Sequence, residues 1–121
     1  RLVGGQSSHH DRAKKGGMIG VLKRIFGIES IDYADLIANG AQIIDVRTKA
    51  EYKQGHIEKS KNIPLDKLPG ALNRMDKTKP IITCCRSGAR SERSKNILQA
   101  SGFNKVYNGG GWKSLYRKLT V

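Results

Sequence analysis

The strand-length stretches at 42–46, within AQIIDV, and at 80–84, PIITC, are too continuously apolar for half-exposed strands, and a helical pattern follows each. A strand that is apolar on both faces has to be covered on both, as a central strand of a parallel sheet is. Parallel neighbours need a crossover between them, and a helix supplies it. The repeated strand–helix order therefore predicts an α/β fold in which a parallel sheet is flanked by helices. At 121 residues the chain suffices for one compact domain and not for two. We read it as a monomer.

Local signals place the remaining elements. An edge strand is predicted at 28–31. Asp32, with Asp35 three residues on, starts a helix whose Leu36 and Ile37 face inward and which Gly40 stops. Thr48 and Glu51 form a T-x-x-E capping box for a short helix that Gly55 ends. Residues 60–63 read as a strand closed by Pro64, 66–75 as a helix with Pro69 in its first turn, and 91–101 as a helix ended by Gly102. A last strand at 105–107 leads through Gly109, Gly110 and Gly111, read as a flexible link, to a closing helix at 112–119. The expected sheet thus has five strands, with no internal repeat.

Composition narrows the function classes. The chain is 37% hydrophobic and 27% charged, as soluble globular proteins are, and no apolar run approaches the roughly 18 residues of a membrane-spanning helix. Its two cysteines, Cys84 and Cys85, are adjacent, so no disulfide framework exists and the chain is expected in a reducing, cytoplasmic setting. Residues 1–17 lack hydrophobic periodicity and carry two Gly-Gly pairs and the His9–His10 pair, which reads as a tag remnant. Without them the net charge falls from +13 to +10, and His56 is the one remaining histidine, which makes a His-based metal site improbable. No cofactor is implied. Residues 18–28 are amphipathic if helical, with Met18, Leu22, Ile25 and Phe26 on one face and Lys23 and Arg24 opposite. Such a segment packs on the domain that follows, 29–121, or touches a membrane surface peripherally.

The chemistry concentrates in Cys85-Arg86-Ser87-Gly88-Ala89-Arg90, between a buried strand and a predicted helix N-terminus. Open α/β sheets place their sites there, outside the carboxyl ends of the strands. A short loop with a central glycine can curl until several backbone N–H groups point at one centre, and the following helix adds its own. If that centre is the Cys85 sulfur, the thiolate is stabilised and the nucleophile needs no general base. The competing reading leaves Cys85 a structural thiol and the arginines solvated. Alternation along the strand turns Cys84 the other way, as a buried inert thiol or else a resolving one.

Several motifs in order resemble the rhodanese family of sulfurtransferases in its short single-domain form: IIDVR at 43–47, Glu51-Tyr52 with Gly55-His56-Ile57, NIPL at 62–65, CRSGARS at 85–91 and GFNKVYNGGGW at 102–112. The resemblance implies a five-stranded parallel sheet, a catalytic persulfide on Cys85, and residues 85–90 as the active-site loop. Phosphatases of the same fold separate Cys and Arg by five residues, whereas four separate Cys85 from Arg90, and the tighter loop suits sulfur over phosphate. Mercaptopyruvate sulfurtransferases resemble C-G-S-G-V-T here, so the more cationic rim of Arg86 and Arg90 favours thiosulfate. A thiolate meeting an anion at about 4 Å in an effective dielectric near 20 is opposed by about 4 kcal/mol per charge pair, some three decades of rate, which these arginines can offset.

Asp45 and Arg47 end the other central strand. Asp45 is expected to fix loop backbone or Arg90, or simply to cap its own turn. Glu51 is read as a capping-box residue first and an Arg47 partner second, and His56 as a hydrogen-bonding structural residue rather than a proton carrier. The function expected is transfer of sulfane sulfur from a small anionic donor, through Cys85, to a thiol, protein or cyanide acceptor. The alternatives are a non-catalytic interaction module and a phosphatase or arsenate reductase. The scattered basic surplus carries no nucleic-acid motif; an acidic protein or a tRNA-modifying sulfur relay would use the same field.

Overall fold

The computed structural model describes residues 31–120. The expectations for 1–17 and 18–28, and all but the last residue of the strand expected at 28–31, lie outside them.

Among the described residues the sheet has four strands, all parallel, in the order β2-β1-β3-β4: β1 is Gln42–Asp45, β2 Lys61–Asn62, β3 Ile81–Cys85 and β4 Val106–Gly111. These answer to four of the five strands expected; the fifth, at 28–31, falls outside the described residues except for Ile31, which belongs to no strand. The helices are α1 (Tyr33–Ala38), α2 (Lys49–Lys53), α3 (Leu68–Ala71), α4 (Ala89–Ala100) and α5 (Trp112–Leu119). None of them is long and apolar enough to cross a membrane.

Alternating side chains sort the core onto the two sheet faces. Ile44, Ile81, Cys85 and Val106 pack with Leu98 and Phe103 on one face, and Ile43, Ile82 and Cys84 pack with Tyr33, Ile57 and Leu115 on the other. Both central strands are thus covered twice, which is why their sequences are apolar without alternation.

Two helix starts follow their capping signals. Asp32 accepts the Asp35 N–H at 3.0 Å, and Thr48 and Glu51 close the reciprocal box, Glu51 N–H to Thr48 Oγ1 at 3.2 Å and Thr48 N–H to Glu51 Oε1 at 2.9 Å. The single helix expected at 66–75 is instead a succession of a 3₁₀ turn at Leu65–Lys67, α3, and a second 3₁₀ turn at Leu72–Arg74. Pro69 cannot donate and Gly70 is a weak helix former, so no continuous ladder builds there.

The glycines at 109–111 form part of β4 and are not the flexible link expected. A side chain at Gly109 would meet Ile82 and the Thr83 carbonyl at 2.9 Å, and one at Gly111 would meet the Arg86 carbonyl at 2.8 Å. Gly109 and Gly111 thus provide close backbone approach, while Gly110, with open space around it, adopts a left-handed φ of +82°. The approach at Gly111 seats the start of α5 directly against the segment that follows β3.

Candidate functional site

Cys85 is the last residue of β3, where the ladder to β4 shifts register between Thr83 and Cys85. The chain then turns through Arg86, Ser87 and Gly88 into α4. Gly88, the N-cap, has φ +111°, a left-handed conformation that glycine adopts without strain. In this geometry the Gly88 N–H points at Cys85 Sγ at 2.9 Å and the Ser91 N–H at 3.3 Å, while Ser91 Oγ lies 3.4 Å from the sulfur. Burial alone pushes the Cys85 thiol up, since only 1% of the residue is exposed. The hydrogen bonds from the Ser91 hydroxyl and from the backbone of Ser91, Gly88 and Ser87 more than offset this and hold it below the ordinary thiol value.

Cys84 faces the opposite side of the sheet, fully buried beside Asp45, its register partner in β1. Burial, reinforced by the negative charge of Asp45, raises its thiol far above the ordinary range. Adjacent cysteines therefore occupy opposite electrostatic surroundings.

Of the two roles expected of Asp45, the structure shows the turn cap and not the loop contact. Its carboxylate binds neither Arg90 nor the loop backbone: it takes Arg47 at 2.7 Å from Nη2 and 2.9 Å from Nε, and accepts the Arg47 N–H at 3.0 Å. Both residues are buried. Arg47 also donates to the Gly55 and Glu51 carbonyls at 2.8 and 3.3 Å and lies over the Trp112 ring at 4.7 Å. Asn62 closes the same turn by donating to the Asp45 and Arg47 carbonyls, each at 2.9 Å. The pair thus organises the C-terminal end of β1 and does not touch Cys85.

Arg90 finds its carboxylate in Glu51, at 2.8 and 3.0 Å through both guanidinium nitrogens. The hydrogen bonds from Arg90, followed by that from the Thr48 backbone, lower the Glu51 carboxyl to about 2. Glu51 reaches Arg47 only through its main-chain carbonyl, so the partner expected for that carboxylate is corrected too. His56 stacks on Tyr52 with ring centroids 3.7 Å apart and places Nδ1 2.7 Å from the Tyr52 carbonyl. The two loop arginines open on separate spaces: Arg86 on a cavity of about 660 Å³ shared with Trp112, Lys113 and Arg117, and Arg90 on a groove of about 430 Å³ with Asp66 and Arg93. Among the described residues no three of His, Cys, Asp and Glu converge as a metal site requires.

Two residues not singled out from the sequence complete the site. Ser91 donates its N–H to the sulfur, and its hydroxyl oxygen accepts from the Cys85 thiol at 3.4 Å. Asn108, on β4, accepts from the Ser91 hydroxyl and from the Gly110 N–H at 2.9 Å, and donates to the Gly88 carbonyl at 3.3 Å and Glu92 at 3.0 Å. Both lie inside motifs quoted above, but their roles depend on β4 lying beside the loop.

Residues 31–118 match the Rhodanese-like domain family. Thiosulfate sulfurtransferase 18 of Arabidopsis thaliana is 37% identical over 93 residues, covering 63% of this chain and 66% of its own length. A tRNA uridine(34) hydroxylase of Enterobacter sp. (strain 638) is 40% identical over 74 residues, 56% of this chain but only 21% of that protein. The chain therefore spans less than two thirds of the length of either relative. A solved structure described as a rhodanese with anions from E. coli is 34% identical, with a TM-score of 0.57 over 62% of this chain and 91% of its own. With the match running from before α1 almost to the end of α5, and with Cys85 ending β3 where the loop into α4 begins, the chain belongs to the rhodanese family.

Proposed function

We propose that the protein is a sulfurtransferase that loads a sulfane sulfur onto Cys85 from thiosulfate or a similar small anion and passes it to a thiophilic acceptor, cyanide or a thiol. The Cys85 thiolate attacks the outer sulfur of thiosulfate; the S–S bond of the donor breaks and sulfite leaves with the electron pair. The acceptor then attacks the terminal sulfur of the persulfide, and Cys85 departs as a thiolate. The observation that carries this reading is the pair of N–H groups from Gly88 and Ser91 aimed at Sγ, which stabilise the anion both as nucleophile and as leaving group. No histidine base is required, and His56, the sole histidine among the described residues, is engaged with Tyr52.

Supporting roles fall to the rest of the loop. Arg86 offsets donor charge, while Ser87 and Ala89 carry the turn. Arg90 anchors the loop to Glu51, with Asp45 and Arg47 bracing the neighbouring strand end. Burial of the sulfur favours a compact donor over an aryl phosphate. The relative from Arabidopsis is named for thiosulfate, and the E. coli rhodanese is described with anions. Two free cysteines suit a reducing, cytoplasmic compartment.

Intact mass spectrometry after thiosulfate tests the reading. A gain of one sulfur atom, reversed by cyanide, kept by Cys84→Ser and lost in Cys85→Ser, is the expected result. No gain in the native protein would make the domain a non-catalytic module, and equal losses in both variants would refute the one-thiol mechanism.

A further inference from the structure

At the end of the sheet opposite Cys85 lies a groove of about 740 Å³ that the sulfur chemistry does not use. Cys85 closes β3, whereas the groove is bordered by Gln42 and Lys61, which open β1 and β2, and in a parallel sheet these are opposite ends. Its lining is mainly apolar: α1 supplies Ala34, Ile37 and Ala38, while Ile43, Ile57 and Leu119 come from β1, the loop before β2 and the end of α5. Ile43 and Ile57 belong to the core on that face of the sheet, and Ile37 and Leu119 pack against it, so the groove is the open side of that core.

The form of the groove suits a helix better than a small molecule. Small-molecule sites orient their ligand with a few enclosed, convergent polar groups, whereas the polar residues here, Gln42, Glu58, Lys59 and Lys61, are all exposed. Ala34 and Ala38 are exposed and four residues apart, hence on one side of α1, and each carries only a methyl group. A second helix axis can therefore approach α1 closely, toward the lower end of the usual 8–10 Å or so.

The segment before α1 has the matching pattern. Met18, Leu22, Ile25 and Phe26 share one face at helical spacing, Lys23 and Arg24 lie opposite, and Gly27 supplies a stop. A helix of that length is marginal alone in water and depends on a partner surface. Residues 29–32, which join it to α1, span up to about 13 Å when extended, more than the roughly 9 Å length of α1, so the groove is within reach. A lipid surface fits less well, because helices held there carry a polar face rich in Lys and Arg and this one has two cations.

We propose that residues 18–28 dock as a helix in this groove, with their apolar face on Ile37, Ile43 and Ile57 and with Lys23 and Arg24 toward water. The segment then completes the second core as part of the domain. Docked at the end of the sheet remote from Cys85, it neither gates the sulfur chemistry nor depends on it.

The test compares the full chain with three variants. Leu22→Gln/Phe26→Gln removes the apolar face of the segment, Lys23→Gln/Arg24→Gln removes the opposite one, and Ala34→Gln/Ala38→Gln narrows the groove; glutamine is a good helix former. The first and third are each expected to lower the Tm by about 5–10 °C and to combine with little further loss. Both should also speed amide exchange at 34–38 and 57–61 more than in α4, and the second variant should do neither. An unchanged Tm in the first variant, equal effects of the first and second, or additive losses in the combination would overturn the docking. So would two other placements of the apolar face. One is a lipid surface, shown by sedimentation of the native chain with phosphatidylcholine–phosphatidylglycerol vesicles that the first variant loses. The other is a second copy, shown by protection of 34–38 that rises with protein concentration together with a dimer mass. None of these readouts requires thiosulfate to load Cys85, so the outcome is separate from that of the sulfurtransferase reading.

Discussion

Arg90 and Glu51, 39 residues apart in sequence, form a two-pronged ion pair at 2.8 and 3.0 Å. The same Glu51 carboxylate closes the capping box of α2 on Thr48. One side chain thus fixes the start of a helix and the end of the loop around Cys85. The pair is partly exposed, so its direct contribution to stability is about 1 kcal/mol or less, and its main effect is on loop position.

A first prediction follows from that double use. Glu51→Gln keeps much of the cap but loses the charge that holds Arg90, so persulfide loading and unloading should both slow by several-fold. Arg90→Ala should do the same, and the double variant should be little worse than either single one. Additive losses, measured on the two half-reactions separately, would show that the residues act independently. The pH dependence has a fixed sign: Glu51 is held well below the usual carboxylate range, at about 2, so its stabilisation is complete above the unfolded carboxyl value and lost as pH falls toward 2. Thermal unfolding of native and Glu51→Gln chains should therefore converge as pH is lowered from about 5 to 2.

The second prediction concerns Cys85 itself. Its thiol lies below the ordinary value because the Ser91 hydroxyl and the N–H groups of Ser91 and Gly88 outweigh its burial. Alkylation by iodoacetamide should accordingly reach half-maximal rate at a lower pH than a free thiol, whose ordinary value is about 8.5. Cys84, pushed up by burial and by Asp45, should remain unmodified across the same range in the folded chain. Peptide mass mapping assigns the two sites, and labelling of Cys84 at a comparable rate would contradict the division of roles.

The sequence disclosed the loop more fully than its supports. The two apolar strand patterns, the capping box at Thr48 and the Gly88-centred turn are local, and each is present as expected. Partner choice is not local. Asp45 lies two residues from Arg47 and takes it, which leaves Arg90 for Glu51; spacing along the chain does not decide between these carboxylates. The glycines at 109–111 gave a similarly ambiguous signal, because a missing side chain permits either flexibility or close approach. The 2.8 Å that would separate a Gly111 side chain from the Arg86 carbonyl identifies the second.

A third prediction tests Asn108 as a positioning residue. The Ser91 hydroxyl has one hydrogen and three acceptors near it: Cys85 Sγ, the Gly88 carbonyl and Asn108 Oδ1. When Cys85 is a thiolate the charged sulfur is the strongest claimant, and Asn108 Oδ1 keeps the Gly110 N–H as its donor. Asn108→Ala removes the contacts that hold Ser91, Gly88 and Gly110 together, at about 1–3 kcal/mol in stability. It should also shift the Cys85 alkylation profile to higher pH. A loss of stability with an unchanged profile would reduce Asn108 to a structural role.

The last prediction separates donor steering from loop architecture, since the two loop arginines differ in their surroundings. Arg90 is neutralised by Glu51, whereas Arg86 is exposed on the cavity with no carboxylate partner among the described residues. Arg86→Ala should raise the KM for thiosulfate by about fivefold to tenfold and reduce the salt sensitivity of loading, because an exposed charge acts through a screened field. Unloading to a neutral thiol should be nearly unchanged, since no negative charge on the acceptor then needs to be offset. Arg90→Ala, by contrast, releases the end of the loop and should slow both half-reactions. Persulfide mass gain reports loading, and thiol consumption reports unloading. If Arg86→Ala slows both steps equally, with salt dependence intact, Arg86 shapes the loop and does not compensate donor charge.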